Sequence, residues 1–183
     1  MFYSEPSEES SRINRMLNGL DVLNKITNRS PVNDLFLVMK CWNDNLVSYS
    51  YDPDTNNIRK EWVSLEPKDR TRHEDKGNAS LRNDLSSDEE DIFGCKVDVI
   101  EGNRFIVTMK LKQMLDRTNE LILDENDVPS IIGMVDGKIC KLKYAYAQMK
   151  NTLLPEVDYL NLYGVSLETG KQCVEKIYEV KNN

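Results

Sequence analysis

Histidine is nearly missing from this chain: one among 183 residues. That residue, His73, stands in Pro67 to Asn83, a stretch with almost no apolar side chain to hold an imidazole still. A general base must sit in a fixed place beside its nucleophile, so Ser-His-Asp, Cys-His and two-histidine metal schemes lose their footing. Cysteine is sparse as well. Cys41, Cys95, Cys140 and Cys173 never form a Cys-x-x-Cys pair, the spacing from which tight-turn metal sites are built. They read as small buried hydrophobes in a reducing compartment, with no metal and no cofactor. Basic residues are outnumbered, 24 Lys and Arg against 31 Asp and Glu, for a net charge of -7. Phosphate backbones are bound through clustered cations, so nucleic acid is not an expected partner.

Long apolar runs are missing too, and no membrane span is expected. The start, Met1 to Glu9, shows neither a basic region nor an apolar one; Phe2 stands where myristoylation needs glycine, and Lys181-Asn182-Asn183 offers no prenylatable cysteine. The expected location is the cytoplasm, where the Asn-x-Ser matches at Asn28 and Asn78 carry no meaning. There is no Gly-x-Gly-x-x-Gly, no Gly-Lys-Ser/Thr and no alternation of strands with helices, which excludes dinucleotide and P-loop folds.

What is present is periodic. Ile13, Met16, Leu17, Leu20, Leu23 and Ile26 recur at three- and four-residue steps, predicting a helix capped by Ser7 and ended by Asn28 to Pro31. Its stripe of Ile13, Leu17 and Leu20 is expected to cover a sheet. A hairpin follows, Leu35 to Trp42 and Leu46 to Asp52, then an Asx-rich turn and a strand from Ile58 to Leu65. That turn mimics three positions of an EF-hand loop but lacks its glycine and its final glutamate. Pro67 to Asn83 reads as a charged, flexible loop. Ser86 with Glu89 forms a capping-box pattern for a short helix closed by Gly94. The same Ser-Ser-Asp-Glu-Glu-Asp string suits an acidophilic kinase, making Ser86 and Ser87 candidate phosphorylation sites.

From Cys95 onward the pattern is β. Cys95 to Ile100, Arg104 to Leu111, Glu120 to Asp124, Ser130 to Val135, Lys138 to Met149, Val157 to Tyr163 and Gln172 to Val180 are strands, with Asp136-Gly137 the strongest hairpin signal. Strict alternation puts Cys140, Leu142, Tyr144 and Tyr146 on one face and Lys141, Lys143, Ala145 and Ala147 on the other. Val157, Tyr159 and Tyr163 oppose Leu160 and Leu162, so this strand has two apolar faces and belongs in the middle of a sheet. The predicted fold is one mainly β domain over residues 1–183: an antiparallel sandwich or barrel of about ten short strands, with an N-terminal amphipathic helix and one short internal helix.

Tyr144-Ala-Tyr-Ala-Gln-Met-Lys150, Pro155-Glu-Val-Asp-Tyr-Leu-Asn-Leu-Tyr-Gly164 and Leu167-Glu-Thr-Gly-Lys171 resemble an uncharacterised family, domain of unknown function 4833. The similarity runs over roughly residues 35–178, with the upstream hairpin, the Trp62 strand and the Ile92-Phe93-Gly94 turn in the same order. The resemblance implies a compact β-rich domain and carries over no catalytic residue. Relative to that family the chain adds the N-terminal helix and the charged loop.

The function that fits is a non-enzymatic binding or scaffold module whose partner is a protein or a small apolar ligand. Second is a carrier enclosing an apolar ligand inside the barrel, with Trp62, Tyr144, Tyr146, Asp158 and Asn161 as candidate ligand-binding residues. A hydrolase built on two carboxylates ranks third, and no catalytic residue is named. The cysteine reading has a direct check: denatured, unreduced protein should take up four equivalents of a thiol reagent while native protein reacts slowly. Fewer equivalents would mean disulfides and would overturn the reducing compartment.

Overall fold

The computed structural model describes residues 7–29, 34–65, 81–150 and 156–179. In chain order its elements are α1 (Glu8–Ile26), β1 (Phe36–Lys40), β2 (Asn45–Asp52), β3 (Asn57–Ser64), β4 (Arg82–Asp84), α2 (Ser87–Phe93), β5 (Cys95–Glu101), β6 (Arg104–Met109), a 3₁₀ turn (Lys112–Met114), β7 (Asn119–Leu123), β8 (Pro129–Val135), β9 (Lys138–Met149), β10 (Val157–Ser166) and β11 (Gln172–Tyr178). The strands hydrogen-bond into one sheet of eleven, in the order β4-β3-β2-β1-β9-β8-β7-β6-β5, with β10 and β11 leaving through β9. The sheet curls into a half-barrel, so the mainly β expectation stands, with the two helices where the periodicity put them. One pairing departs from the antiparallel rule. β1 runs parallel to β9, with Leu37 opposite Tyr144 and Lys40 opposite Ala147, because the chain returns to β1 only after the long β5 to β8 meander.

Period-two alternation fills the concave side. Phe36, Val38, Val47, Tyr49, Phe105, Val107, Met109, Leu121, Ile131, Leu142, Leu160 and Leu162 meet there in one core, and Phe93 of α2 joins them. Tyr49 is fully buried and donates its hydroxyl to the Phe93 carbonyl, which ties α2 to the sheet. Curling brings concave side chains close, and two glycines relieve the crowding. A Cβ on Gly164 would sit 2.9 Å from Cys140 Cβ, and one on Gly133 only 2.5 Å from Asn119 Oδ1.

The alternation of β9 breaks at one residue. Tyr163 of β10 faces Tyr144, but Gly164 faces Leu142, leaving Lys143 as the extra residue of a β-bulge. Cys140 and Leu142 therefore point into the core, while Tyr144 and Tyr146 point to the convex side and Ala145 and Ala147 point in. Strict alternation put all four even positions together; the bulge corrects that. A second bulge, at Asp158, turns Val157 inward beside Leu160 and Leu162 rather than outward with Tyr159. β10 lies between β9 and β11, as its two apolar faces require.

Helix α1 covers the convex side. Ser7 caps it by accepting from Ser10 N–H at 3.1 Å, and Ile13, Met16, Leu20 and Leu23 pack on Leu37, Met39, Leu46, Val63, Leu65, Leu81 and Tyr146. The covering stripe thus runs through Met16 and Leu23, with Leu17 only half-buried at its margin. Of the predicted flexible loop, residues 67–80 lie outside the described ones, His73 among them. Its last part is not a loop: Leu81 is buried, and Arg82 and Asn83 pair with β3.

Arg82 is held for a reason. Its guanidinium forks onto Asp34 at 3.2 and 3.3 Å, reaches Glu61 at 3.4 Å and donates to Asn24 Oδ1 at 2.7 Å. Arg29 meets Glu61 at 3.2 Å, and Ser48 and Asn24 donate to the Asp34 carboxylate. The side chains of Arg82, Asp34 and Glu61 are 8%, 5% and 5% exposed, so α1, β2, β3, β4 and the entry to β1 share one buried ionic knot. Removing one partner of such a knot strands the others, which typically costs about 3–5 kcal/mol. Arg82→Met should lower the urea unfolding free energy by about that much, and Arg82→Lys, which keeps the charge but loses the fork, should restore only part. A loss below about 1 kcal/mol would show the knot to be dispensable.

Candidate functional site

One edge of β9 has two neighbours in succession. Its first part pairs with β8, ending at Ile132 opposite Lys141, and β1 takes over at Leu37 opposite Tyr144. Leu142 and Lys143 lie between, with no ladder partner on that edge. The two neighbours part there, and the fork opens into a cleft of about 520 Å³. Lys141, Lys143 and Tyr144 come from β9; Leu35 and Leu37 from β1 and its approach; Val128 and Pro129 from the start of β8; Leu17 from α1. The Asp34 carboxylate borders the cleft but is already committed to Arg82, Asn24 and Ser48.

The charge left over is therefore positive. Among the described residues neither Lys141 nor Lys143 has an acidic partner, although most other lysines here do. Lys143 is pushed below the ordinary lysine value, first by desolvation and then by the Lys141 charge. Two ammonium groups beside apolar walls make the cleft locally positive.

A second cavity, about 300 Å³, lies where α2 meets the ends of β1, β9 and β10. Phe93, Leu111, Met149 and Val157 floor it, and Lys40 reaches in with Nζ 4.2 Å from the Trp62 ring and 4.6 Å from Phe93. Burial lowers the Lys40 pKa, while the Glu89 charge opposes the shift. Lys110 and Lys112, on the rim, are each paired, with Asp91 and Glu179.

The candidate ligand residues divide between the two faces. Tyr144, Tyr146 and Asn161 come together on the convex side, Asn161 opposite Tyr146 and Tyr163 opposite Tyr144. There the first turn of α1 meets them: Glu9 accepts from Asn161 Nδ2 at 2.8 Å on both oxygens and from Tyr163 Oη at 2.6 Å. Tyr144 and Tyr163 stack with centroids 4.7 Å apart. Trp62 faces the core on the other side, and Asp158 is the half-buried residue of the second bulge. Of the five, Tyr144 alone borders the fork cleft. Ser86 and Glu89 complete both halves of a capping box, and Ser87 opens α2 in an exposed position.

Lys141 and Lys143 had no part in the expected site. Their sequence signal, two lysines flanking Leu142 just before Tyr144, is that of any solvated strand face; only the bulge and the parting of β8 from β1 give it a location. The carboxylates Asp34 and Glu61 converge on Arg82 and Arg29, and these ion pairs take up their oxygens. Among the described residues there is no group of three or more metal-ligating side chains, and no helix is long and apolar enough to cross a membrane.

A family model described as "Domain of unknown function (DUF4833)" matches residues 36–176. No curated protein and no solved structure matches.

The tyrosine cluster gives the fold a pH signature. Burial, and next to it the Glu9 hydrogen bond, raise Tyr163 above its ordinary value; burial raises Tyr146 to about 12. A phenol whose folded pKa is raised contributes stability fully below the unfolded value of about 10 and loses it as pH climbs through the folded value. Stability should therefore fall between about pH 10 and 12, and Tyr163→Phe should flatten part of that slope. Asn161→Ala, which removes a bond to a charged group, should cost about 1.5–3 kcal/mol in chemical denaturation. An unchanged melting temperature for Asn161→Ala together with a lost ligand or partner signal would assign Asn161 a binding role instead.

Proposed function

Because the chain belongs to the DUF4833 family, whose activity is unassigned, we propose from geometry that it is a non-enzymatic binding module and that its ligand, a small molecule with an anionic head and an apolar body, occupies the cleft where β8 and β1 part. The observation that carries this reading is the pair Lys141 and Lys143, two like charges beside apolar walls with no acidic partner among the described residues. Partial burial and the Lys141 charge weigh against the protonated form of Lys143, and an anion beside the pair opposes both effects. Leu17, Leu35, Leu37, Val128 and Pro129 supply contact for the ligand's apolar part. A cleft of about 520 Å³ falls within the usual range for small-molecule sites.

A carrier with its ligand inside the barrel fits less well. The concave side is filled by Phe36, Tyr49, Met109, Met114, Leu142 and Leu160, all with less than 2% exposure, so a ligand there would have to displace the core. The catalytic alternative rests on carboxylates, and Asp34 with Glu61 is engaged in the ionic knot.

Calorimetric titration with octanoate, octyl phosphate and octanol tests the reading. The two anions should bind and octanol should not, and Lys141→Met or Lys143→Met should each weaken anion binding by about 10-fold or more. Affinity should fall as pH rises, and begin to do so below the ordinary lysine value of 10.5, because Lys143 loses its proton early. Equal binding of octanol, or anion binding that ignores both substitutions, would overturn the assignment.

A further inference from the structure

We propose that Lys40 Nζ is the anchoring amine of an aldehyde site: a small apolar aldehyde enters the cavity beside α2 and is held there as an imine. The strand pattern sets Lys40 apart. Phe36 and Val38 point into the concave core and Leu37 and Met39 toward α1, so the next inward place on β1 falls to Lys40, a lysine where the alternation calls for an apolar side chain. Its Nζ lies 4.2 Å from the centre of the Trp62 ring and 4.6 Å from that of Phe93. It lines the same cavity of about 300 Å³ as Phe93, Leu111, Met149 and Val157, and the site shares no residue with the fork cleft.

The surroundings leave this amine available. Of the three lysines on the cavity, Lys110 pairs with Asp91 at 3.5 Å and Lys112 with Glu179 at 3.4 Å, whereas Lys40 has no acidic partner among the described residues. The nearby acids are engaged elsewhere: Glu89 accepts from Ser86 in the capping box, and Glu156 pairs with Lys150 at 3.1 Å. Burial draws Lys40 below the ordinary lysine value, with the Glu89 charge opposing, so more of the amine is neutral than at a paired, solvated lysine. A desolvated lysine on apolar walls is the form in which this side chain attacks carbonyl carbon.

The step is a condensation. Neutral Nζ adds to the carbonyl carbon and forms a C–N bond; its two N–H protons end on the carbonyl oxygen, which leaves as water, and no oxidant or reductant is consumed. When the imine takes up a proton it is again a cation, so it keeps the contact with Trp62 and Phe93 that the ammonium had. The alkyl part of the aldehyde lies on Leu111, Met149 and Val157. A cavity of this size stands at the lower end of small-molecule sites, which selects a short aldehyde over a long-chain one.

The test treats the full native chain with hexanal, reduces the product with cyanoborohydride and maps the adducts by peptide mass spectrometry. Lys40 should be labelled about 10-fold or more ahead of the other lysines, because burial of the alkyl chain adds to the reaction there. Glyceraldehyde, a polar aldehyde, should show no such preference. Lys143 is the internal comparison: it too is drawn below the ordinary value, but it is exposed and should trail Lys40. Urea-unfolded protein should lose the preference for Lys40. Lys40→Arg, which keeps a cation against both rings, should retain the native circular dichroism and melting temperature and lose the leading adduct. Labelling that ranks Lys143 or a surface lysine above Lys40, an equal preference with glyceraldehyde, or a preference that persists in urea would each overturn the proposal.

Discussion

The extra residue at Lys143 is the constraint on which most of this architecture turns. A strand of 12 residues cannot keep one face apolar throughout when its first part serves a curled core and its second part serves a helix. The bulge exchanges the faces in a single step, so Leu142 and Ala145 both point inward and Tyr144 turns out toward α1. It coincides with the change of neighbour from β8 to β1 on the opposite edge. A bulge bends and twists its strand, and at the same point on the opposite edge β8 gives way to β1. The cleft is the space the two partners leave.

On the convex side the sheet depends on α1. Leu37, Met39, Leu46 and Val63 would present a continuous apolar surface without it, yet the family match begins at residue 36, after the helix. Two polar anchors fix the helix over that surface. Glu9 holds its first turn to Asn161 and Tyr163, and Asn24 joins its last part to Arg82 and Asp34. Apolar packing alone would let a helix slide or rotate; directional polar contacts at both ends select one position.

The concave side follows a different rule. Its curvature needs small residues where strands close in, and Gly133 and Gly164 supply them beside Asn119 and Cys140. The large side chains that remain fill the interior, and the two cavities open at the fork and beside α2 instead. A β-rich scaffold of this kind offers rigid strands as a floor and loops as walls, which is how unrelated sheets come to hold ligands.

The sequence by itself determined the elements. α1 with its Ser7 cap, the capping box at Ser86, the Asp136-Gly137 hairpin and the central place of β10 were all legible, because each rests on residues within a few positions of one another. The parallel pairing of β1 with β9, the short strand β4, the bulges at Lys143 and Asp158 and the fork cleft were decided only by tertiary structure. Arg82 looked like part of a solvated charged run, and it is buried because Asp34 and Glu61, far off in the chain, neutralise it. Tyr146 and Leu142 looked like neighbours on one face, and one extra residue, accommodated by the curl of the whole sheet, set them on opposite sides. Local periodicity reports what a strand would do alone; which residue it spends on a bulge is set by the partners on both of its edges.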